Sequence, residues 1–179
     1  EKVPETILSR CQVYTFKNPS EAVLEEVVTR VVKEEGYTIE GGAAHLIAML
    51  GDGSYRDTFS VLEKALLVST DKKIIRAEVE KVTGAPNEQI IIDFLSAYAE
   101  SDEKKGRAII DTIRTNSISV PLFFREVLEL ARFALLARID GARLKEFEKA
   151  YGDTYLSAIK TLAKNPKLTS KTLEALLVA

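Results

Sequence analysis

Two arginines are the residues of this sequence whose positions suggest chemistry. Arg56 follows Ser54 in "GDGSYRDTFSVLEKA", residues 51–65, where an apolar-periodic run begins. A cation in the first turn of a helix faces the positive end of the helix dipole, which disfavours it by roughly 0.3–1 kcal/mol. Because a guanidinium is permanently charged and binds bidentately, Arg56 could bind an anion from outside its own helix, such as a phosphate. A solvated side chain or a surface ion pair is the alternative.

Arg10 is the second candidate, near the end of "ETILSRC", residues 5–11. A cation at this end of a short helix complements the negative end of the dipole, so helix electrostatics alone could explain it. In the segment around Arg56, Ser54 and Asp57 match a capping box and need no functional explanation. Each arginine therefore has a phosphate-binding interpretation and a structural alternative.

The other reactive residues show no pattern of a metal site or a nucleophile. The only histidine, His45, and the only cysteine, Cys11, lie far apart in the sequence, and neither has the partners of a zinc site or a Cys–His pair. We expect His45 to lie on a helix surface or to be partly buried, and not to be a ligand. There is no Gly-Lys-Ser/Thr phosphate loop and no dinucleotide fingerprint, so we expect no nucleotide binding by these residues alone.

The composition is that of a soluble globular protein. Hydrophobic residues make up 46% and charged residues 29% of the 179 residues, and the net charge of -2 argues against a general nucleic-acid-binding module. A single cysteine fits a reducing compartment. No apolar run is long enough for a membrane span, and the amino end has no signal-peptide core. Because the sequence starts without methionine, we expect it to be a piece of a longer chain.

Helical periodicity predicts an all-α protein with one strand. A short helix covers residues 5–11 after Pro4, and "QVYTF", residues 12–16, is the one plausible strand. "KNPS", residues 17–20, is the first boundary, because Asn18 precedes a proline.

Four short helices are predicted over residues 18–82. Ser20 caps the first, and Gly36 ends it. Its apolar face consists of Val23, Leu24, Val27, Val28, Val31 and Val32. The second is "GAAHLIAML", the third begins after Ser54 with a buried stripe of Phe59, Leu62 and Leu66, and the fourth is "RAEVEKV".

"TGAPN", residues 83–87, is the second boundary, and more helices follow it. We expect them at roughly 87–100, 103–115, 119–138, 142–150, 153–164 and 169–178. Capping residues stand near several of their starts: Asn87, Asp102, Ser119 and Ser170. The long one, "VPLFFREVLELARFALLARI", is apolar over more than one face, which is typical of a helix central to a bundle or partly buried against another subunit.

Two segments carry a resemblance to a known family. "KVPETILSRCQVYTF", followed later by "GDGSYRDTFSVLEKAL", resembles the gamma/tau subunits of bacterial DNA polymerase III, which are clamp-loader AAA+ ATPases. The resemblance covers residues 1 to about 70, and beyond residue 83 only the helical pattern and the "GAP…FL" start are similar. It implies three parts: residues 1–17 end the AAA+ ATPase core, 18–82 form the lid, and 83–179 form the collar, or oligomerisation, domain.

The resemblance also implies roles for both arginines. Arg10, in "SRC", would be the arginine finger that reaches the ATP bound by a neighbouring subunit. Arg56 would be sensor 2, which touches the phosphates of ATP held by its own core, and the lid would rotate on the "KNPS" hinge. ATP and Mg would be cofactors of the intact protein. Because most of the ATPase core is missing, we expect this chain by itself neither to bind nor to hydrolyse ATP.

The implied partners are other clamp-loader subunits (gamma/tau, delta and delta-prime) through the collar, and the sliding clamp and primed DNA through the assembled complex. The implied location is the bacterial cytoplasm, at the nucleoid-associated replisome, without a membrane. Three alternatives stay open. A delta-prime-like structural subunit would not need Arg56, and a branch-migration motor or helicase loader fits "SRC" preceded by "KVP" poorly. A helical interaction domain with accidental motif matches is the third.

Overall fold

Capping side chains determine where most helices begin. In the computed structural model, which describes residues 4–12, 14, 16–140, 153–171 and 174, five predicted caps accept a hydrogen bond from a backbone N–H two or three residues further on. These caps are Ser20, Ser54, Asn87, Asp102 and Ser119. Each satisfies an amide that has no partner in its own helix, which fixes the helix start locally.

The helices lie close to their predicted ranges. They are α1 (Glu5–Leu8), α2 (Glu21–Glu34), α3 (Gly41–Leu50), α4 (Tyr55–Val68), α5 (Arg76–Thr83), α6 (Glu88–Glu100), α7 (Glu103–Thr115), α8 (Val120–Ile139) and α9 (Asp153–Lys164). Residues 170, 171 and 174 are also helical, within the helix expected at 169–178. The helix expected at 142–150 lies outside the described residues. The fold is all-α, as predicted.

The predicted strand at residues 12–16 is wrong at each of its described positions, Gln12, Tyr14 and Phe16. Tyr14 and Phe16 are 73% and 90% exposed. A strand needs a neighbouring strand to satisfy its backbone groups, and no strand in the described part of the chain pairs with this segment. The alternation of side chains in the sequence does not show whether a neighbouring strand is present.

Two very short strands form elsewhere. β1 (Thr38–Ile39) and β2 (Lys73–Ile74) pair in parallel, with Thr38 opposite Lys73. They join the connection after α2 to the connection before α5. At two residues each, the strands are too short to produce a recognisable alternation in the sequence.

The helices α2–α5 enclose the first hydrophobic core, which includes Val28, Leu46, Ile47, Leu62, Ile74 and Val79. On α2 the predicted apolar face is correct for Leu24, Val28 and Val32, but Val23 is exposed. On α4 the predicted stripe is partly wrong, because Phe59 is exposed and the buried residues are Thr58, Leu62 and Ala65. Small side chains at both ends of this face let α4 approach its neighbours closely, and a sequence pattern that weights large apolar residues misses them.

The helices α6–α9 enclose the second core, which includes Ile91, Leu95, Phe123, Leu130, Tyr155 and Ile159. The long helix α8 packs against both α6 and α9. Near its start, Leu122 packs instead against the first core. No helix in the described ranges is both long and apolar enough to cross a membrane. The assignment of residues 1–17, 18–82 and 83–179 to core, lid and collar stays a prediction.

Candidate functional site

Arg10 lies in the turn that follows α1. The helix ends at Leu8, and the Arg10 amide donates to the Ile7 carbonyl over 3.1 Å. Its side chain is exposed and makes no ion pair or hydrogen bond with any described residue. The guanidinium is therefore accessible to a partner outside this part of the chain.

Arg56 is the second residue of α4. Ser54 Oγ accepts from the Asp57 amide over 3.3 Å, as half of the expected capping box requires. The Arg56 side chain is exposed, and within the described residues its guanidinium has no acidic partner and no hydrogen bond. The structural alternative of a surface ion pair is not seen there. A cation thus faces the positive end of its own helix without local compensation.

The GDGS loop, residues 51–54, holds the start of α4 by close packing. A Cβ on Gly51 would lie 1.9 Å from Thr58 Oγ1, so no larger side chain fits there. Gly53 has φ +76°, and a Cβ on it would lie 3.3 Å from Asn18 Cβ. The loop therefore packs against α4 on one side and against the "KNPS" segment on the other.

We call α2–α5, around the first core, the first bundle, and α6–α9, around the second core, the second bundle. Arg125 of α8, in the second bundle, contacts the region of the GDGS loop. Its Nη2 pairs with Glu21 at the start of α2, and its Nη1 donates to the Met49 carbonyl near the end of α3 over 3.3 Å. The same Nη1 lies 3.5 Å from Asp52 Oδ1 in the GDGS loop. One guanidinium thus touches three segments of the first bundle.

A buried charge network joins the two bundles beside Arg125. Arg76, the first residue of α5, is 4% exposed, and its Nη2 pairs with Glu126 of α8. Its Nε lies 2.9 Å from Glu80 and 3.1 Å from Glu88. The guanidinium also stacks over the ring of Tyr155 at 5.3 Å, and the Tyr155 hydroxyl donates to Glu126 over 3.2 Å. We call this set the Arg76 network.

Burial governs the protonation of the Arg76 network. Desolvation raises the pKa of Glu126 and of Glu80, and the Arg76 charge opposes the rise in both. Burial also raises the pKa of Glu88, to about 6, and that of Tyr155 well above its usual value. Arg76, Glu80 and Glu88 of this network line a cavity of about 640 Å³ between β1, β2 and the start of α6. Because its carboxylates are paired to a permanently charged arginine and the Tyr155 hydroxyl donates to Glu126, the chemistry of the network is that of a structural junction.

His45 forms the third link between the bundles. The expected surface or partly buried position is wrong: His45 is buried, at 5% exposed, because α8 covers that face of α3. Nδ1 lies 2.5 Å from Glu25 of α2, and Nε2 lies 2.9 Å from Glu129 of α8. Burial alone would lower the His45 pKa, but the two carboxylates raise it to about 9. His45 is therefore an imidazolium at neutral pH.

Ligand atoms of Glu21, His45 and Glu129 lie within 4.8 Å of one another, close enough to hold a metal ion. A metal would have to replace a proton on a ring nitrogen of His45. Both nitrogens already face carboxylates that stabilise their protons, and Glu21 is paired with Arg125. The donor chemistry therefore favours the proton, and we assign this cluster to ion pairing.

Sequence reasoning missed the charged residues that join the bundles. Arg125, Glu126 and Glu129 lie on one side of α8, and we call them the polar stripe. Their spacing of one and three residues, continued back to Leu122, places them on a single helix face. A signal was present in the sequence, since three of the five charged residues of α8 fall at this spacing on one face. Which helices that face would meet was not readable from it.

Comparison with known proteins gives several DNA polymerase III subunits among the sequence relatives of this chain. The chain is 33% identical over 129 residues to the DNA polymerase III subunit gamma/tau of Mycoplasma genitalium, covering 72% of this chain and 22% of that protein. It is 27% identical over 170 residues to the DNA polymerase III subunit gamma of Buchnera aphidicola, covering 92% of this chain and 44% of that protein. No family model matches the chain.

A third relative comes from an archaeon. The replication factor C small subunit of Methanosarcina acetivorans is 29% identical over 106 residues, which is 59% of this chain and 31% of that protein. The chain spans about a fifth of the Mycoplasma subunit and less than half of the Buchnera subunit. It is therefore homologous to one segment of these replication proteins.

Proposed function

Because the chain belongs to the clamp-loader family of DNA polymerase III gamma/tau subunits, we propose that it forms the lid and collar of such a subunit. The intact subunit would use ATP to load the sliding clamp onto primed DNA. The observation that carries this proposal is the exposed Arg56 on the first turn of α4, which has no acidic partner among the described residues, in a chain homologous to gamma/tau subunits.

Arg56 would act as sensor 2. Its guanidinium fits the phosphates of a nucleotide, because it is accessible and lacks an acidic partner within the described residues. A guanidinium beside the phosphates of ATP forms charge-assisted, bidentate hydrogen bonds with them, which strengthens nucleotide binding. Arg56 would bind and orient the phosphates, while the ATPase core of the same subunit would supply the rest of the pocket and its Mg.

Arg10 would act as an arginine finger in trans. It follows a short helix near the amino end of the chain, and its exposed side chain is available to a neighbouring subunit. An arginine supplied from a second protein subunit makes hydrolysis depend on assembly of the complex. Arg10 and Arg56 would thus serve two different nucleotides, and they share no partner in the described part of the chain.

The collar would join this subunit to other clamp-loader subunits, namely gamma/tau, delta and delta-prime. An apolar groove of about 1000 Å³ runs between α6 and α7, lined by Phe94, Tyr98, Ile110 and Phe124. Tyr98 and Ile110 are more than one-third exposed, as residues of a subunit contact would be before assembly. The assembled loader would work in the cytoplasm at the replisome.

The test uses the longer subunit, with its ATPase core, in the assembled loader. We expect Arg56→Ala to raise the ATP concentration needed for half-maximal turnover, which we call the ATP response, by about 10- to 100-fold, since charge-assisted hydrogen bonds are lost. Arg10→Ala should lower clamp-stimulated ATP turnover by about 1000-fold. The measurement is steady-state ATP hydrolysis as a function of ATP concentration, with Arg30→Ala, another exposed arginine, as the control.

Thermal stability separates this role from the structural alternative. Because Arg56 opposes the dipole of α4, its replacement by alanine should leave the melting temperature unchanged or slightly higher. A normal ATP response in Arg56→Ala would instead favour a delta-prime-like subunit. Normal turnover in Arg10→Ala would instead favour the alternative, in which Arg10 only complements the dipole at the end of α1.

A further inference from the structure

We propose that Arg125 is a positioning residue for Arg56, and that it sets the orientation of α4 from the second bundle. This inference rests on the proposed function of Arg56. It starts from the three contacts of the Arg125 guanidinium, with Glu21, the Met49 carbonyl and Asp52. Glu21 directly follows the "KNPS" segment, Met49 lies just before the GDGS loop, and Asp52 lies within that loop, so the three acceptors belong to the segments that place Arg56.

The first contact is with the end of α3. Met49 is the penultimate residue of α3, and its carbonyl, in the last turn, accepts from the Asp52 amide over 3.2 Å as well as from Arg125. A cation there is favourable both as a hydrogen-bond donor and as a complement to the helix dipole. Arg125 thereby fixes the point at which the chain leaves α3 for the GDGS loop.

The second contact is with the loop itself. Asp52 has φ +45°, in the left-handed region, which aspartate tolerates better than most residues. Its carboxylate lies 3.5 Å from Arg125 Nη1. The attraction of Arg125 for this carboxylate thus stabilises the turn at Asp52, which lies four residues before Arg56.

The third contact is with the start of α2. Glu21 follows the cap Ser20, directly after the "KNPS" segment. Gly53 packs against Asn18 of the same segment, so the loop and the "KNPS" segment before α2 also lie close together. Arg125 therefore connects the expected hinge, the loop before Arg56 and α8 at one place.

Arg125 has the properties of a positioning group more than those of a core residue. Its side chain is 39% exposed, and solvent screens its pairs, so the fold does not depend on them. Its planar fork reaches acceptors on three segments at once, which the single ammonium of lysine does not reproduce. Its removal should therefore loosen the loop and leave both cores intact.

The first test measures the loop directly, in this chain, by amide hydrogen exchange. We expect Arg125→Ala to speed exchange at residues 52–57 by at least about tenfold, because exchange reports local opening. Arg132→Ala is the matched control, since Arg132 is an exposed arginine of the same helix without an ion pair in the described part of the chain. Unchanged exchange at residues 52–57 in Arg125→Ala would overturn the inference.

The second test measures ATP hydrolysis by the longer subunit in the assembled loader. Arg125→Ala should raise the ATP concentration needed for half-maximal turnover by about 3- to 10-fold, in the same direction as Arg56→Ala, with kcat changed by less than twofold. If Arg125 only stabilised the fold, its removal would not change the ATP concentration for half-maximal turnover while leaving kcat nearly the same. Arg132→Ala should change neither.

The two tests distinguish failure of this inference from failure of the proposed function. If Arg56→Ala weakens the ATP response and Arg125→Ala does not, Arg125 does not position Arg56, and the sensor role stands. If neither variant changes the ATP response, the proposed role of Arg56 is wrong, and the inference about Arg125 fails with it.

Discussion

At the scale of single residues, His45 shows how two carboxylates determine a protonation state. Burial by itself disfavours a charged imidazole, but Glu25 and Glu129 face both ring nitrogens and raise the His45 pKa to about 9. The His45 charge also opposes the rise that burial causes in the pKa of Glu126. The imidazolium therefore contributes to the attachment of α2 and α3 to α8.

The first prediction concerns the pH dependence that follows. The pKa of His45 is about 9 in the folded state against 6.5 for an unperturbed histidine. The imidazolium then stabilises the fold fully below pH 6.5, and this stabilisation is lost as the pH rises through 9. The lost free energy is of the order of 3 kcal/mol. Chemical denaturation at a series of pH values measures it.

The control is His45→Gln, which removes the titration and keeps a polar group. The difference in the free energy of unfolding between the two proteins should shrink as the pH rises from 6.5 through 9. All other titrating groups are common to both, so this change reports His45. His45 is the only histidine, so its imidazole signal can be followed by NMR without assignment. A midpoint near pH 6.5 would contradict the ion-pair geometry.

At the scale of elements, α8 serves two bundles with two faces. Its apolar face fills the second core, and its polar stripe faces the first bundle. Removing one member of a buried pair leaves an uncompensated charge, whereas removing both members leaves none. The Arg76–Glu126 pair is the most buried of these links, with side chains 5% and 2% exposed.

The second prediction is a double-mutant cycle on this pair. Arg76→Met alone should destabilise the fold by about 3–5 kcal/mol, because Glu126 would be buried without its partner. Arg76→Met combined with Glu126→Leu should be less destabilised than the sum of the two single variants. The coupling should be about 1–3 kcal/mol, measured by urea denaturation.

An exposed pair provides the reference for that cycle. Lys105 and Asp93 are 3.1 Å apart, with side chains 48% and 39% exposed. Solvent screens this pair, so the cycle of Lys105→Met and Asp93→Leu should show a coupling below about 1 kcal/mol. Equal coupling in both cycles would mean that burial does not strengthen the Arg76 network.

At the scale of the whole molecule, three charged links connect the bundles. They involve Arg125, Glu126 and Glu129 on one side and residues of α2, α3 and α5 on the other, and Leu122 adds an apolar contact. Arg125 also lies 3.5 Å from Asp52 in the loop before α4, so a movement of α4 would change the contacts of α8. In the proposed function this is the route from Arg56 to the collar.

The third prediction concerns nucleotide binding by this chain. Arg56 supplies one positive charge, but the sequence has no phosphate loop to cradle the phosphates. We therefore expect no ATP binding in isothermal titration calorimetry with ATP and Mg. The longer subunit, with its ATPase core, is the positive control. Micromolar binding by this chain would overturn the assignment of residues 18–179 to lid and collar.

The sequence by itself determined the helices and their starts. Caps such as Ser54 and Asn87 act within three residues, and apolar periodicity acts within one helix, so both can be read locally. It also picked out Arg56, because a cation at a helix start conflicts with the dipole of its own helix. The family followed from two short motifs.

Only the tertiary structure decided which charges are buried and what they meet. His45 lies 84 residues from Glu129 in the sequence, and Arg76 lies 50 residues from Glu126. Burial and pairing at such separations depend on how helices dock, and the identity of one residue does not specify it. The same holds for Gln12, Tyr14 and Phe16, which pair with no strand in the described part of the chain, and for the β1–β2 pair, since a strand exists only where a second strand meets it.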